Sequence, residues 1–230
     1  MDARRASVLR VLGVEQLERR PAAAAAQAVA LAMVVPPDDA VTATLDWDGL
    51  AHAVAACTRC ALHTTRTQTV FGVGDRTAEW LVVGEAPGAD EDLKGEPFVG
   101  RAGQLLNSML RAIGLARERV YIANVLKCRP PANRDPRPQE TNCCLPYLHR
   151  QIALLQPKII LCVGRIAAQN LLGVDTPLAR LRGRAHALAP LGTPVVVTYH
   201  PAYLLRSPGE KRKAWADLEF ALEVAHGRRA

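Results

Sequence analysis

The sequence is poor in aromatic residues and lacks the motifs from which many functions are assigned. Aromatics make up 4% of the 230 residues, so an aromatic in a polar loop is expected to have a purpose there. No G-x-x-x-x-G-K-[ST] motif occurs, which excludes a P-loop nucleotide site. No apolar run is long enough to span a bilayer, and an early alanine-rich run lacks a convincing signal-peptide cleavage site. We therefore expect a cytoplasmic protein without a membrane partner.

The charge balance favours an anionic partner. Lys and Arg outnumber Asp and Glu by 29 to 22, which gives a formal net charge of +7. Nucleic acid is the first candidate for so basic a chain, and a solvated basic surface without a partner is the alternative. Composition alone does not choose between them.

The first 45 residues differ in composition from the rest of the chain. Scattered arginines precede an alanine-rich run over residues 22–33, and two prolines and two aspartates follow it. This composition predicts a low-complexity, mostly disordered extension over residues 1–45, with one short helix at Val8–Leu17. Residues 46–230 are long enough to bury a full core and are expected to form one domain.

Apolar runs alternate with segments of helical periodicity after residue 46, which predicts an α/β fold. The expected strands are Trp80–Val83, Val120–Leu126, Lys158–Val163 and Val195–Tyr199. The expected helices are 47–56, 105–113, 139–155 with an interruption at Pro146, 166–172 and 209–225. Strands that alternate with helices indicate a parallel sheet covered on both faces. Four prolines exclude regular structure over residues 129–138.

The loop after the first strand is the centre of the predicted site, because open α/β sheets place their chemistry at the carboxyl ends of strands. It begins with Glu85 in a G-E-A-P-G sequence, which differs from the phosphate-binding G-x-G-x-x-G. Its carboxylates, among them Glu91, would repel an anion. Phe98 lies in the same loop, between Pro97 and a Val-Gly step, and is expected to have a functional role.

Polar side chains follow three of the predicted strands. Glu85, Asn124 and His200 stand at the carboxyl ends of the first, second and fourth strands. A lone histidine in such a place is more often a structural hydrogen-bonding group than a catalyst. Because parallel strands bring these ends to one edge, the three groups together favour an active site.

Four of the six cysteines have the arrangement of a metal site. Two form a C-x-x-C pair, and two flank the proline-rich segment: Cys57, Cys60, Cys128 and Cys144. With no secretory signal, a disulfide framework is the weaker interpretation. Spacing does not choose between zinc and an iron–sulfur cluster. Cys143 could replace its neighbour as a ligand, and Cys162, in a predicted strand, is expected to be a small core residue.

Six short motifs between residues 57 and 206 carry a family resemblance. In chain order they are Cys57-x-x-Cys60, Gly84-Glu-Ala-Pro-Gly88, Pro97-Phe-Val-Gly-Arg-Ala-Gly103, Asn124-x-x-Lys-Cys-Arg-Pro-Pro131 with Asn133-Arg134, Cys144-x-Pro-Tyr-Leu148 and His200-Pro-x-Tyr-Leu-Leu-Arg206. They resemble those of the family-four, iron–sulfur uracil-DNA glycosylases. The resemblance implies a three-layer α/β/α sandwich on a four-stranded parallel sheet, with residues 46–230 as the catalytic domain. It also implies a base excision repair enzyme that flips uracil out of DNA and hydrolyses its N-glycosidic bond, leaving an abasic site.

The resemblance further implies roles for individual residues. A [4Fe-4S] cluster would be held by the four cysteines Cys57, Cys60, Cys128 and Cys144. Phe98 would stack on the extruded uracil, Asn124 would read its polar edge, and His200 would hydrogen-bond its O2. Glu85 would help to shape the pocket.

The remaining predicted contacts concern DNA and the attacking water. Leu204 or Leu205 would enter the gap left in the duplex, and Arg206 beyond them is expected to contact a phosphate. Glu91 is the candidate for excluding the thymine methyl group. The best-known uracil-DNA glycosylases have a water-orienting aspartate where this chain has Ala86, which leaves open whether Glu85 activates the water or the sugar cation captures water late.

The expected partner is uracil-containing DNA, single- or double-stranded, bound by a monomer. Two other classes of function stay open. The protein could bind such DNA without turnover, as a related branch does through a histidine in an inserted basic loop, although residues 129–138 contain no histidine. It could also be a zinc-stabilised DNA-binding module. Visible absorbance would separate the zinc module from the other two, and turnover would separate the enzyme from the binder.

Overall fold

The computed structural model describes residues 37–228. The helix predicted at Val8–Leu17 lies outside these residues. The described part opens with helix α1 (Pro37–Thr42), ahead of the boundary predicted at residue 45. The side chain of Thr42 is buried, and α1 packs against the long helix over residues 138–155. Helical structure therefore begins before residue 46, and the division of the chain into extension and domain stays a prediction.

Six strands form one mixed sheet. They are β1 (Val73–Gly74), β2 (Trp80–Gly84), β3 (Tyr121–Asn124), β4 (Ile159–Val163), β5 (Ala185–Leu188) and β6 (Thr193–Thr198). Their order is β1-β3-β2-β4-β6-β5. The pairs β3–β2, β2–β4 and β4–β6 are parallel, and β1 and β5 pair antiparallel at the two edges.

The α/β fold is confirmed, whereas the predicted number of four strands is wrong. Both additional strands are short edge strands without an apolar run. β1 is only two residues long and not fully buried, and only one of the four residues of β5 is buried. In contrast, every residue of β2, β3 and β4 is buried, so these strands show as continuous apolar runs in the sequence.

Helices cover both faces of the sheet. After α1 they are α2 (Trp47–Ala55), α3 (Ala89–Lys94), α4 (Arg101–Ala112), α5 (Pro138–Leu155), α6 (Arg165–Leu172), α7 (Leu178–Leu181), α8 (Pro201–Arg206) and α9 (Lys211–Ala225). Alternate strand residues point to opposite faces. Leu81 of β2 packs with α5 and α6 in one core, and Val82 packs with α4 and α9 in the other. The described domain therefore has three layers, with the sheet in the middle.

Three local predictions need comment. The interruption predicted at Pro146 is wrong, because α5 runs through this residue; the missing N–H costs one helical bond, and buried neighbours such as Leu148 hold the helix in place. The 129–138 segment is irregular apart from one 3₁₀ turn at Pro131–Asn133 and its last residue, Pro138, which begins α5. Cys162 is fully buried in β4, as expected of a core residue. Within residues 37–228, no helix has the length and apolar character needed to cross a membrane.

Candidate active site and cysteine cavity

A cavity of about 420 Å³ opens where β2, β3 and β6 end. We call it the polar cavity. Seven of the eight side chains predicted to act in catalysis or substrate binding line it: Glu85, Ala86, Glu91, Phe98, Asn124, His200 and Arg206. The parallel register explains this convergence, because Gly84 at the end of β2 pairs with Asn124 at the end of β3.

Asn124 presents an unsatisfied acceptor to this cavity. The residue is 2% exposed, and its Oδ1 has no hydrogen-bond partner among the described residues. A buried carbonyl without a partner is costly, so a ligand donor that reaches it gains free energy. Gly84 permits this arrangement, because a Cβ there would lie 2.3 Å from Oδ1 and 2.6 Å from Cζ of Phe98. In the sequence Gly84 stands only at the end of a strand, and these contacts explain why a larger residue does not fit there.

Phe98 is held in a strained backbone conformation at the cavity wall. Its φ is 54°, in the left-handed region that non-glycine residues avoid. Two contacts fix the segment: Gly103, where a Cβ would lie 1.7 Å from the Phe98 carbonyl oxygen, and Arg117, which donates to the Pro97 carbonyl at 2.6 Å. The Phe98 ring lies 5.7 Å from the His200 ring, centroid to centroid. The strain thus places an aromatic face beside the histidine.

His200 is a neutral hydrogen-bond donor. It caps the N-terminus of α8, and its Nδ1 accepts the Ala202 N–H at 3.1 Å. Burial lowers the pKa of His200 to about 4, the charge of Arg206 lowers it further, and Glu91 opposes the shift. At neutral pH the ring therefore carries one proton. Because Nδ1 is the acceptor, that proton is on Nε2.

Glu85 titrates near neutrality. Burial raises the pKa of this carboxyl to about 7, the negative charge of Asp135 adds to the rise, and Arg165 opposes it. Asp135 also lines the cavity and forms a 3.3 Å ion pair with Arg165. A carboxyl with such a pKa can exchange a proton or orient water at physiological pH.

Glu91 fastens two loops together. One carboxylate oxygen accepts the Gly88 N–H at 3.0 Å, and the other accepts those of Val99 and Gly100 at 3.0 and 3.2 Å. The side chain is therefore neither a freely solvated loop carboxylate nor free to move. Its predicted role in excluding thymine stays a prediction.

Leu204 does not lie where a DNA-contacting residue must lie. It is 1% exposed and belongs to the core beneath α4 and α9. The reason is helical periodicity, since Pro201 and Leu204 are three residues apart on α8 and both face inward. Leu205 points outward and is 37% exposed. The expectation for Leu204 is corrected accordingly, and Leu205 is the remaining candidate of the two.

The proline-rich loop supplies cavity residues to which the sequence reasoning gave no role. Asn133, Arg134 and Asp135 line the cavity. Arg129 donates to Asn133 Oδ1 at 2.8 Å, and Arg134 forms a two-pronged pair with Glu140 at 2.8 and 2.6 Å. These bonds order a loop that has no periodicity to reveal its position. The only available signal was that Asn133-Arg134 stood within a recognised motif.

The four predicted metal ligands line a second cavity, the cysteine cavity: Cys57, Cys60, Cys128 and Cys144. All are free thiols. The Lys127 N–H donates to Cys144 Sγ at 3.2 Å, and Arg66 Nη1 donates to Cys128 Sγ at 3.1 Å. N–H donors stabilise sulfur in its anionic form, so this donor set suits metal-bound thiolates.

Cys143 also lines the cysteine cavity, but it is less buried than Cys144 and accepts no backbone hydrogen bond that we observe. Within residues 37–228, no three potential ligands lie close enough to share a single metal ion. The geometry thus favours Cys144 over its neighbour without fixing the metal.

Two residues connect the cavities. Lys127 is buried; its Nζ donates to the Asn124 carbonyl at 2.9 Å and to Gln151 Oε1 at 2.6 Å, while its N–H bonds Cys144. Ala86 lines the polar cavity and packs against the apolar cluster that surrounds the cysteines. We therefore expect a substitution at either position to affect both cavities.

Comparison with known proteins identifies the family. The uracil DNA glycosylase superfamily model matches residues 71–219. A type-4 uracil-DNA glycosylase of Archaeoglobus fulgidus is 48% identical over 178 residues, which cover 75% of this chain and 89% of the relative. Type-4 enzymes of Thermotoga maritima and Pyrobaculum aerophilum are 42% and 40% identical, over 73% and 76% of this chain and 88% and 92% of the relatives. The chain therefore belongs to the uracil-DNA glycosylase superfamily, in its type-4 group.

Proposed function

We propose that the protein removes uracil from DNA by hydrolysing the N-glycosidic bond of a flipped nucleotide, which leaves an abasic site. The observation that carries the proposal is the unpaired, buried Asn124 Oδ1 in a cavity that also holds the Nε2–H of His200 and the ring of Phe98. The names of the type-4 relatives support it. A base inside a duplex is out of reach of such a cavity, so the nucleotide must leave the stack at a cost of a few kcal/mol.

Asn124 supplies the choice of base. Uracil presents an N3–H donor beside the O4 acceptor, and a carboxamide matches this pair by accepting from N3–H and donating to O4. Cytosine presents the reverse pattern, an acceptor at N3 and a donor at the amino group. Cytosine would leave Oδ1 unpaired and place donor against donor, which costs about 1 to 3 kcal/mol per mismatched group. Stacking on Phe98 contributes to any base and therefore adds affinity rather than choice.

His200 assists bond cleavage. As the glycosidic bond breaks, uracil departs as an anion and the sugar becomes an oxocarbenium ion. A neutral Nε2–H aimed at O2 strengthens its hydrogen bond as charge develops, as a donor in an oxyanion hole does. Burial keeps the histidine neutral, and Arg206, in the same cavity, adds positive potential and reinforces that effect.

Glu85 is our candidate for orienting the attacking water. Ala86 has no polar group to do so, whereas the Glu85 carboxylate lines the same cavity. Since its pKa is about 7, the carboxylate form dominates above that pH. The same negative charge would also stabilise the oxocarbenium ion.

The outer face of α8 contacts DNA in this proposal. Leu205 is exposed and takes the place left by the flipped nucleotide. Arg206 contacts a phosphate, which adds affinity for any sequence. The protein acts on uracil in single- or double-stranded DNA as a monomer.

We also propose that the four cysteines hold a [4Fe-4S] cluster. Bound there, the cluster would cross-link the segment after α2, the segment after β3, and α5. Arg66 and Lys127 would donate hydrogen bonds to two of its cysteines. The resemblance to the family-four enzymes supports a cluster here rather than one zinc ion, because thiolates alone suit either.

The test is uracil release by protein purified without oxygen. Multiple-turnover assays with single- and double-stranded oligonucleotides that contain one uracil should give free uracil and an abasic product, and the matched thymine oligonucleotide should give none. Iron analysis should find about four irons per chain. Tight binding without product would identify a binder instead of an enzyme, and zinc without iron would contradict the cluster.

A further inference from the structure

Three planar groups form a column at the rim of the polar cavity. The Arg182 guanidinium lies 4.1 Å from the centroid of the Tyr199 ring. The Tyr203 ring is stacked on Tyr199 at 5.2 Å and 21°. The Tyr199 ring therefore contacts both the guanidinium and the Tyr203 ring. Neither the base-reading groups nor the cysteines use this column.

The column is anchored at its inner end. Arg182 donates to both carboxylate oxygens of Asp217 at 2.7 and 3.1 Å and to the Lys213 carbonyl at 2.9 Å. Asp217 is buried and accepts a further bond from Thr198 Oγ1 at 2.8 Å. The anchored Arg182 guanidinium therefore holds the Tyr199 ring in place, and the Tyr203 ring stacks on this fixed ring.

Tyr203 is the open end of the column. It lines the polar cavity and remains 37% exposed, and its side chain has no hydrogen bond that we observe within the described residues. Tyr203 and Arg206 are three residues apart on α8 and therefore lie on one face of that helix. An aromatic ring beside a cation is the pairing with which proteins bind unpaired nucleic acid strands, the ring for a base and the cation for the phosphate.

We propose that Tyr203 is a stacking platform for the nucleobase next to the flipped uracil. This rests on the proposed function, because it needs a uracil-containing strand in the cavity. Phe98 lies deeper, is almost fully buried and faces His200, so the two aromatics serve different bases. In a single strand the neighbouring base has lost its partner and gains from a platform. In a duplex that base is already stacked, so the platform adds less.

The experiment uses protein purified without oxygen, so that it keeps its metal, and oligonucleotides that contain 2′-fluoro-2′-deoxyuridine. The glycosidic bond of this nucleoside resists cleavage. The fluorescent base 2-aminopurine stands on the 5′ side in one oligonucleotide and on the 3′ side in another. Stacking on an aromatic ring quenches its fluorescence. We expect the parent protein to quench one of the two probes in single strands, Tyr203→Phe to do the same, and Tyr203→Leu to lose the quenching.

Affinity is the second measurement. Tyr203→Leu should weaken binding of the single-stranded oligonucleotide by about five- to a hundredfold, the range for loss of one base–aromatic stack, and that of the duplex by less. The matched control is Leu191→Ala, which also removes an exposed side chain. Leu191 precedes β6 and so lies at the sheet edge opposite the cavity. The affinity of Leu191→Ala for both oligonucleotides should equal that of the parent protein.

Two results would overturn the inference. One is a parent protein that quenches neither probe, which requires no variant. The other is a Tyr203→Leu variant that quenches and binds as the parent does. Uracil release from ordinary oligonucleotides, measured in parallel, keeps the two proposals apart. If the parent releases uracil and either result occurs, only the platform fails; if the parent releases none, the proposed function fails first.

Discussion

The polar cavity and the cysteine cavity are built on opposite principles, although Lys127 and Ala86 join them. In the polar cavity, Asn124 Oδ1 has no partner among residues 37–228, and the Phe98 backbone is strained at a positive φ. In the cysteine cavity, two sulfurs already have N–H donors. In the first site, a ligand that binds and later leaves can form the missing hydrogen bond. In the second site, the donors are already in place for the proposed cluster, which would stay bound.

The largest expected effect is loss of the proposed iron–sulfur cluster. Cys144→Ala removes a buried thiol that accepts the Lys127 N–H, and we expect it to abolish visible absorbance and iron content, measured by spectroscopy and metal analysis. Cys143→Ala and Cys162→Ala are the matched controls and should keep both. If Cys143→Ala bleaches the protein and Cys144→Ala does not, the ligand assignment must be exchanged.

The next effect concerns the departing base. His200→Ala removes the Nε2–H donor, so single-turnover cleavage should fall by about 10² to 10³, as on loss of one oxyanion-hole donor. DNA affinity should stay near the parent value, because the ground-state base gains little from this bond. A variant that cleaves at the parent rate under saturating enzyme would contradict the role of the histidine.

Glu85→Gln should lower the cleavage rate by about 10², the low end for loss of a general base. The pKa of Glu85 is about 7, so the parent rate should rise with pH through that value as the carboxylate forms, and the rate of the variant should be flat there. A pH profile of single-turnover rates checks this. Equal profiles for parent and variant would favour late, unassisted capture of water.

We expect Glu85→Gln to stabilise the folded protein at high pH, although it slows cleavage. The folded state binds the Glu85 proton more tightly than the unfolded state, whose pKa is near 4.5. Stability from this group is therefore lost as pH rises from the lower value towards 7. Glu85→Gln should raise the free energy of unfolding relative to the parent at pH 8 and change it little at pH 4, measured by denaturant titration.

A smaller effect is expected for DNA binding. Arg206→Ala should weaken binding to all sequences and reduce the slope of log K against log salt by about one, as for loss of one phosphate contact. Titrations at several salt concentrations with uracil and thymine oligonucleotides measure this. Weaker binding confined to the uracil oligonucleotide would mean that Arg206 reads the base.

The smallest effect is expected in the cysteine cavity. Arg66→Lys keeps the charge but loses the guanidinium geometry behind the bond to Cys128 Sγ. We expect the cluster to form but to bleach faster in air, followed by its absorbance, while freshly prepared protein releases uracil at the parent rate. Bleaching at the parent rate would show that this bond does not protect the cluster.

Long-range packing explains what the sequence could and could not predict. Fully buried runs such as Trp80–Val83 identified their strands, and parallel pairing then brought Glu85, Asn124 and His200 together. The edge strand β5 has no such run, because only one of its four residues is buried. Leu204 and Leu205 are alike as residue types, and only the docking of α8 decides which is buried. Tyr203 was part of a motif, and only its stacking on Tyr199 led us to propose a role for it.

The cysteine cavity also bears on the order in which the chain folds. Cys57 and Cys60 precede β2, whereas Cys144 belongs to α5 after β3. Bringing such distant segments together costs loop entropy before any bond to metal returns it. We therefore expect the thiols to become neighbours only once β2 and β3 have paired and α5 has packed on them. The proposed cluster would bind late, after the sheet has formed, and its main effect would be to slow unfolding.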